Sequence, residues 1–163
     1  MVSICAQYYL GGISAREIQK TKTFRDIIRK DSLLTQQNKM YLRGEYEKQL
    51  LHIVNHVIGR TSWDRSNVWA ISPNLTYHFC NETLRPTFYH KKWEYHTCQK
   101  HTIFLSQAHY PLKGLQQVIK ALPIILQHYP DTQIYVAGNN FISTSLLRKN
   151  GFANYIQRLM RAY

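Results

Sequence analysis

The pair Lys113-Gly114, at the end of the loop Ser106-Gln-Ala-His-Tyr-Pro-Leu-Lys-Gly-Leu115, carries the strongest chemical potential in this chain. Lysine supplies a mobile positive charge, and glycine lets the backbone approach a ligand closely. Where a helix starts, unpaired backbone N–H groups and the positive end of the helix dipole favour phosphate. Three other polar groups follow short apolar runs. Gly59-Arg60-Thr-Ser-Trp-Asp64 offers a cation and a carboxylate, Asn81-Glu82-Thr-Leu-Arg85 offers another such set, and Gly138-Asn139-Asn140 offers space and amide groups. Each has a plain structural alternative: an Arg60–Asp64 pair holding the loop, a Glu82–Arg85 pair at i, i+3, a Gly-Asn turn, and a solvated Lys113.

The elements that must position these residues are legible from periodicity. Thr102–Leu105 is a β-type run, and Leu115, Val118, Ile119 and Leu122 have helical spacing continued by Ile125 and Leu126. Residues 132–138 then form a second β-type run. A strand, helix and strand so closely joined predict a parallel βαβ unit over 102–138, with ligands expected at the carboxyl ends of its strands. Upstream, Ser14-Ala-Arg-Glu17 has the capping-box form and predicts a helix to about Lys30, with Ile18, Phe24, Ile27 and Ile28 facing inward. Lys22, Arg25 and Arg29 share its other face, as solvated charge or as a contact for an anionic membrane. Glu45–His52 reads as the end of a second helix, Ile53–Ile58 as a buried strand, and Leu75–Cys80 as another strand. Residues 86–101 have no period and read as a crossover. Phe152, Tyr155, Ile156, Leu159, Met160 and Tyr163 lie on one helical face that wants a sheet to cover, with Arg158 and Arg161 opposite. Trp63 and Trp93 are expected in packing.

Composition bounds the rest. A chain of 163 residues with 44% hydrophobic and 13% aromatic content is a folded protein of one ordinary domain or two small ones. Its three cysteines show no paired spacing and read as reduced thiols of a cytosolic chain. His96, Cys98 and His101 lack the second ligand pair that zinc sites use. No run approaches the ~18 apolar residues of a membrane span. A formal charge of +12 calls for an anionic partner. Neither a helix-turn-helix pattern nor an RNA-type aromatic motif accompanies it, which argues against nucleic acid.

The order Gly59-Arg-Thr-x-Trp-Asp64, Tyr77-x-x-Cys-Asn-Glu-Thr-Leu-Arg85, Lys113-Gly114 and Ile134-Tyr-Val-Ala-Gly138 resembles the retaining GT-B glycosyltransferases, the family of sucrose synthases and bacterial lipid and polysaccharide glycosyltransferases. The first two runs look particular to one bacterial branch. The resemblance implies an α/β fold with parts of two Rossmann-like domains, both incomplete. Residues 1–92 would close the acceptor-side domain, 93–101 would cross over, and 102–163 would open the donor domain. It implies transfer of a sugar from a nucleotide-sugar donor to an undefined acceptor, with retention and without metal or other cofactor. Lys113 and Gly114 would bind the donor diphosphate. Gly59, Arg60, Asp64, Glu82, Arg85, Gly138 and Asn139 would line the cleft. A cytoplasmic location follows, with room for peripheral contact at the inner face of the cell membrane. Two departures stand out: Gln107 replaces an arginine that shares the diphosphate in many relatives, and the paired-glutamate motif would lie beyond Tyr163. By resemblance the chain is an internal fragment, expected to be inactive alone. The alternative reading is a basic binding module for nucleic acid or an anionic membrane surface.

Overall fold

Capping side chains decide where most of the helices begin. The computed structural model describes residues 2–138, 140–142, 145 and 149–163. The described residues form α1 (Val2–Tyr8), α2 (Ala15–Thr21), α3 (Phe24–Arg29), α4 (Leu33–Ile53), β1 (His56–Gly59), α5 (Ser62–Ile71) and β2 (Thr76–Phe79). After a long connection come β3 (Thr102–Ser106), α6 (Leu115–His128), β4 (Gln133–Ala137) and α7 (Gly151–Ala162). The Ser14/Glu17 capping box opens α2 as its spacing requires. A second box, Thr23/Asp26, opens α3, so the single helix expected to reach Lys30 is two. Thr23 is extended at ψ 162°, which breaks the first helix before the second starts. That break turns Phe24, Ile27 and Ile28 outward, and of the four residues expected inside, only Ile18 is buried. Arg25 bends to Asp31 at 3.0 Å and Asp26 at 3.5 Å, so the expected face of three free cations does not form.

The fold is α/β, built on two small parallel sheets. β1 pairs with β2, from His56 opposite Thr76 to Gly59 opposite Phe79. β3 pairs with β4, from Thr102 opposite Gln133 to Ser106 opposite Ala137. The parallel unit expected over 102–138 is therefore present, and β1-α5-β2 repeats the arrangement. Helix α5 has its own signal in the sequence, a Thr61/Asp64 capping box. α6 passes through Pro123, which removes one helix hydrogen bond. Leu115 and Ile119, both buried, anchor the turns before it.

Two apolar clusters hold these parts. The larger joins Tyr9, Ile13, Ile18 and Leu33 from the N-terminal helices to Ala108, Leu115, Ile119, Phe152, Tyr155 and Ile156. The smaller gathers Leu51, Val68 and Leu75 around β1-α5-β2. The clusters thus do not follow the division at 1–92, 93–101 and 102–163, because the first forty residues share a core with α6 and α7. Residues 86–97 lie outside both clusters and are exposed, with a single 3-10 turn at Pro86–Phe88. Ile58, expected in a buried strand, is 72% exposed. Trp63 and Trp93 are exposed as well, contrary to the packing roles expected for them.

α7 finds a different cover from the one its apolar face suggests. It packs on α2 and α6 rather than on a sheet, and Phe152 stacks on Phe141 with ring centroids 5.6 Å apart. The Asn154 amide donates to the Thr21 carbonyl at 2.9 Å. A Cβ at Gly151 would stand 2.8 Å from the Asp26 carboxylate, so glycine is what lets the two helices meet there. Only the first two turns of the stripe are buried: Phe152 is 1% exposed and Met160 is 54% exposed. Phe152→Ala should therefore cost about 3–5 kcal/mol in chemical denaturation. Met160→Ala should stay within about 0.5 kcal/mol of the parent.

Candidate functional site

Both βαβ units place their polar residues at the carboxyl ends of the strands, where such units bind ligands. In the C-terminal unit the ladder runs one step past β3, with the Gln107 N–H donating to the Ala137 carbonyl at 2.9 Å. The chain then turns through Gln107 at φ 53° and enters a 3-10 turn, Pro111–Lys113. Gly114 stops that turn in the left-handed region at φ 82° and serves as N-cap of α6 without a side-chain cap bond. A Cβ there would meet nothing within 4 Å. Backbone conformation, not crowding, is what calls for glycine at this place. Lys113 is exposed at the helix entrance, with its ammonium 5.8 Å from the centre of the Tyr110 ring. Beside this turn lies a cleft of about 480 Å³ lined by Tyr9, Gln36, Met40, His109, Tyr110 and Leu112 among others. Gly138 closes β4 at φ 122°, next to Gln107 and His109. Asn139, expected beside it in the cleft, lies outside the described residues.

The loop between α1 and α2 also reaches this turn, and the sequence reading did not foresee it. Gly11 and Gly12 both have positive φ, 55° and 80°. The Gly11 carbonyl accepts from the side-chain amides of Gln116 at 2.8 Å and Gln117 at 2.7 Å, on the first turn of α6. Gln116 is fully buried and also donates to the Pro111 carbonyl at 2.8 Å. Its Oε1 has no partner among the described residues. The Gly-Gly pair between Leu10 and Ile13 was the available signal, since adjacent glycines mark a backbone that must bend or approach closely.

At the other mouth the polar residues sort differently from either expected pairing. Arg60 forms its ion pair with Glu82, at 2.6 Å, so neither Arg60–Asp64 nor Glu82–Arg85 is the pair that forms. Asp64 instead closes the α5 capping box. Its carboxylate accepts from the N–H groups of Thr61 at 3.2 Å and Arg60 at 3.4 Å, while its own N–H donates to the Thr61 hydroxyl at 3.0 Å. The Thr61 side chain above all, and then the backbone N–H groups of Arg60 and Thr61, hold the Asp64 carboxyl below its ordinary pKa. Gly59 is required for a reason other than a turn: a Cβ would run into the Tyr77 ring, whose hydroxyl donates to the Thr61 carbonyl at 3.2 Å. Arg85 stacks its guanidinium over Phe88 at 5.6 Å. Gly59, Arg60, Asp64 and Glu82 line a cleft of about 430 Å³. Among the described residues, no hydrogen bond or ion pair joins this set to the Lys113 turn.

His96, Cys98 and His101 have different neighbours, His96 standing edge-on to Tyr95 with ring centres 5.8 Å apart. Cys98 donates to the Tyr95 carbonyl at 3.0 Å, and His101 meets Asp131 at 2.6 Å. No protein-family model matches the chain, and neither a curated protein nor a solved structure matches it.

Two expectations follow from this geometry. Gly11→Ala would force a Cβ into Gln116 and the Pro111 carbonyl from a left-handed residue, and chemical denaturation should show a loss of about 1–3 kcal/mol. Asp64→Asn tests the cap. Because the folded carboxyl titrates below its unfolded value, its contribution is complete above the ordinary value of about 3.9 and fades as pH falls through the lowered one. Denaturation at about pH 7 should therefore show a deficit of about 0.3–1 kcal/mol for the variant, the worth of an exposed carboxylate in a helix's first turn. As pH falls through the lowered value and the parent carboxyl takes up its proton, the deficit should shrink.

Proposed function

We propose that this chain is part of a sugar-nucleotide-dependent glycosyltransferase of the retaining GT-B type, with its two parallel units as parts of two Rossmann-like domains. The observation that carries the reading is the placement of Lys113 on the 3-10 turn that leads from β3 into α6. There a lysine charge, the left-handed Gly114 and the start of a fourteen-residue helix converge, the combination that suits a phosphate. In this reading Lys113 contacts the donor diphosphate. As the glycosidic bond to the nucleotide breaks, negative charge builds on the leaving phosphate oxygen, and a positioned cation stabilises it. Gly138 leaves the end of β4 without a side chain beside Gln107 and His109, and Gln107 takes the place of a second cation. Gly59, Arg60, Asp64 and Glu82 belong to the facing wall, where the Arg60–Glu82 pair sets the position of the guanidinium. No resident cofactor has a part in the reading.

The test is donor binding followed residue by residue. Adding a nucleoside diphosphate sugar to the isotope-labelled chain should shift the backbone amide signals of Lys113, Gly114 and Leu115. Lys113→Ala should weaken that binding roughly 10–100-fold, as loss of a charge-assisted contact does. Lys113→Arg should keep part of it. Unchanged amide signals at saturating donor, or an alanine variant that binds like the parent, would remove Lys113 from the diphosphate site.

One observation favours the second reading, an anionic membrane surface. Phe88, Tyr89, Trp93 and Tyr95 are exposed and alternate with Arg85, Lys91 and Lys92, a mixture of aromatic and basic groups suited to a lipid interface. Co-sedimentation with vesicles containing anionic lipid, reduced by Trp93→Ala and by salt, is what this reading requires.

A further inference from the structure

Away from both mouths, two histidines face each other across the β1–β2 sheet. His56 opens β1, and His78 sits on β2 opposite Ile58. Both are exposed. The Nδ1 atom of His56 lies 3.0 Å from the Nε2 atom of His78, with ring centroids 5.2 Å apart and the planes inclined by 36°. As a hydrogen bond this contact needs a proton on one of the two nitrogens, and between groups so open to water it adds little stability. With both facing nitrogens bare, it is a pair of imidazole lone pairs held at a fixed spacing by neighbouring strands.

The spacing selects among metal ions. With metal–nitrogen bonds of about 2.0–2.1 Å, nitrogens 3.0 Å apart subtend about 90–97° at the ion. Tetrahedral ligands at those bond lengths would stand about 3.3–3.4 Å apart. The observed bite is that of two adjacent positions in a square-planar or tetragonal ion, the preference of Cu²⁺ and Ni²⁺ and not of Zn²⁺.

We propose that His56 and His78 form a two-histidine binding site for tetragonal divalent ions, Cu²⁺ before Ni²⁺. Both rings bind as neutral imidazoles, protonated at Nε2 of His56 and Nδ1 of His78, so the ion takes the place of the shared proton by a tautomer shift. Among the described residues, no group of three or more His, Cys, Asp or Glu is placed to hold a metal, so the remaining positions fall to water or an exogenous ligand. The site bridges β1 and β2 and is separate from the diphosphate reading: neither His56 nor His78 lines the cleft at Gly59.

The experiment titrates the full chain with CuCl₂ and with NiCl₂ at about pH 7.5, where imidazole is mostly neutral. Ligand-field absorption and the nitrogen couplings in the Cu²⁺ electron paramagnetic resonance spectrum are the readouts. The parent should bind one Cu²⁺ through two nitrogens. His56→Ala and His78→Ala should each weaken binding at least about tenfold, the low end of what losing even a supporting partner costs a metal site. Thr76→Ala, on the same exposed face, should bind like the parent. Because the ion ties two strands of the folded form, Ni²⁺ should raise the parent's melting temperature and leave that of either histidine variant unmoved. The proposal fails if either histidine variant binds Cu²⁺ as tightly as the parent. That result would assign the ion to the other six histidines or the amino terminus. It fails equally if Zn²⁺ binds more tightly than Cu²⁺.

Discussion

The grip of Gln116 and Gln117 on the Gly11 carbonyl is the interaction on which the rest of the large core depends. A buried amide must find a partner or cost roughly 1–3 kcal/mol. The NH2 group of Gln116 meets that demand with a loop 105 residues away in sequence and with the Pro111 carbonyl one turn back. The two acceptors fix the entrance of α6 and the bend of the α1–α2 loop together. With that loop in place, Tyr9 and Ile13 lie against Leu115 and Ile119. The Tyr9 hydroxyl, bonded to Gln36, is buried enough that its pKa rises. The geometry of the Lys113 turn is thus inherited from residues at the other end of the chain.

Local chemistry was the legible part of the fold. The capping box at Ser14, the strand-helix-strand pattern over 102–138 and the parallel pairing follow from spacing alone, because each depends on a few neighbouring residues. The breaks were legible in principle: Thr23-x-x-Asp26 and Thr61-x-x-Asp64 repeat the same capping pattern. What spacing does not carry is the choice of partner. Arg60 had two carboxylates within reach in sequence, Asp64 and Glu82, and the nearer one is consumed by the α5 cap, which leaves Glu82. Likewise α7 has an apolar stripe long enough for a sheet, yet Gly151 and Asn154 fit it to α2 and its Asp26 neighbour. Periodicity states that a face will be covered and is silent about the cover.

Among the described residues, Arg25, Lys48 and Arg60 have carboxylate partners, while Lys113 has an aromatic ring beside it. Close to α7, burial and then Arg161 and Arg158 lower the pKa of Lys149, whose ammonium donates to Gln157. An excess of positive charge of this kind is held by the fold at a cost in self-repulsion.

The larger core also has a consequence in time. Its two halves, residues 9–40 and 105–159, are separated by a stretch that supplies none of its residues. At synthesis rates of about 5–20 residues per second, α1, α2 and α3 wait on the order of 5–20 s before α6 and α7 emerge. During that interval Tyr9, Ile13, Ile18 and Leu33 lack the cover that α6 and α7 bring, and contacts of such long range form late because loop closure comes first. The side-chain caps at Ser14, Thr23 and Ser32 need no distant partner. They favour the early helices from the moment they are made, and so hold the first half of the interface in readiness for the second.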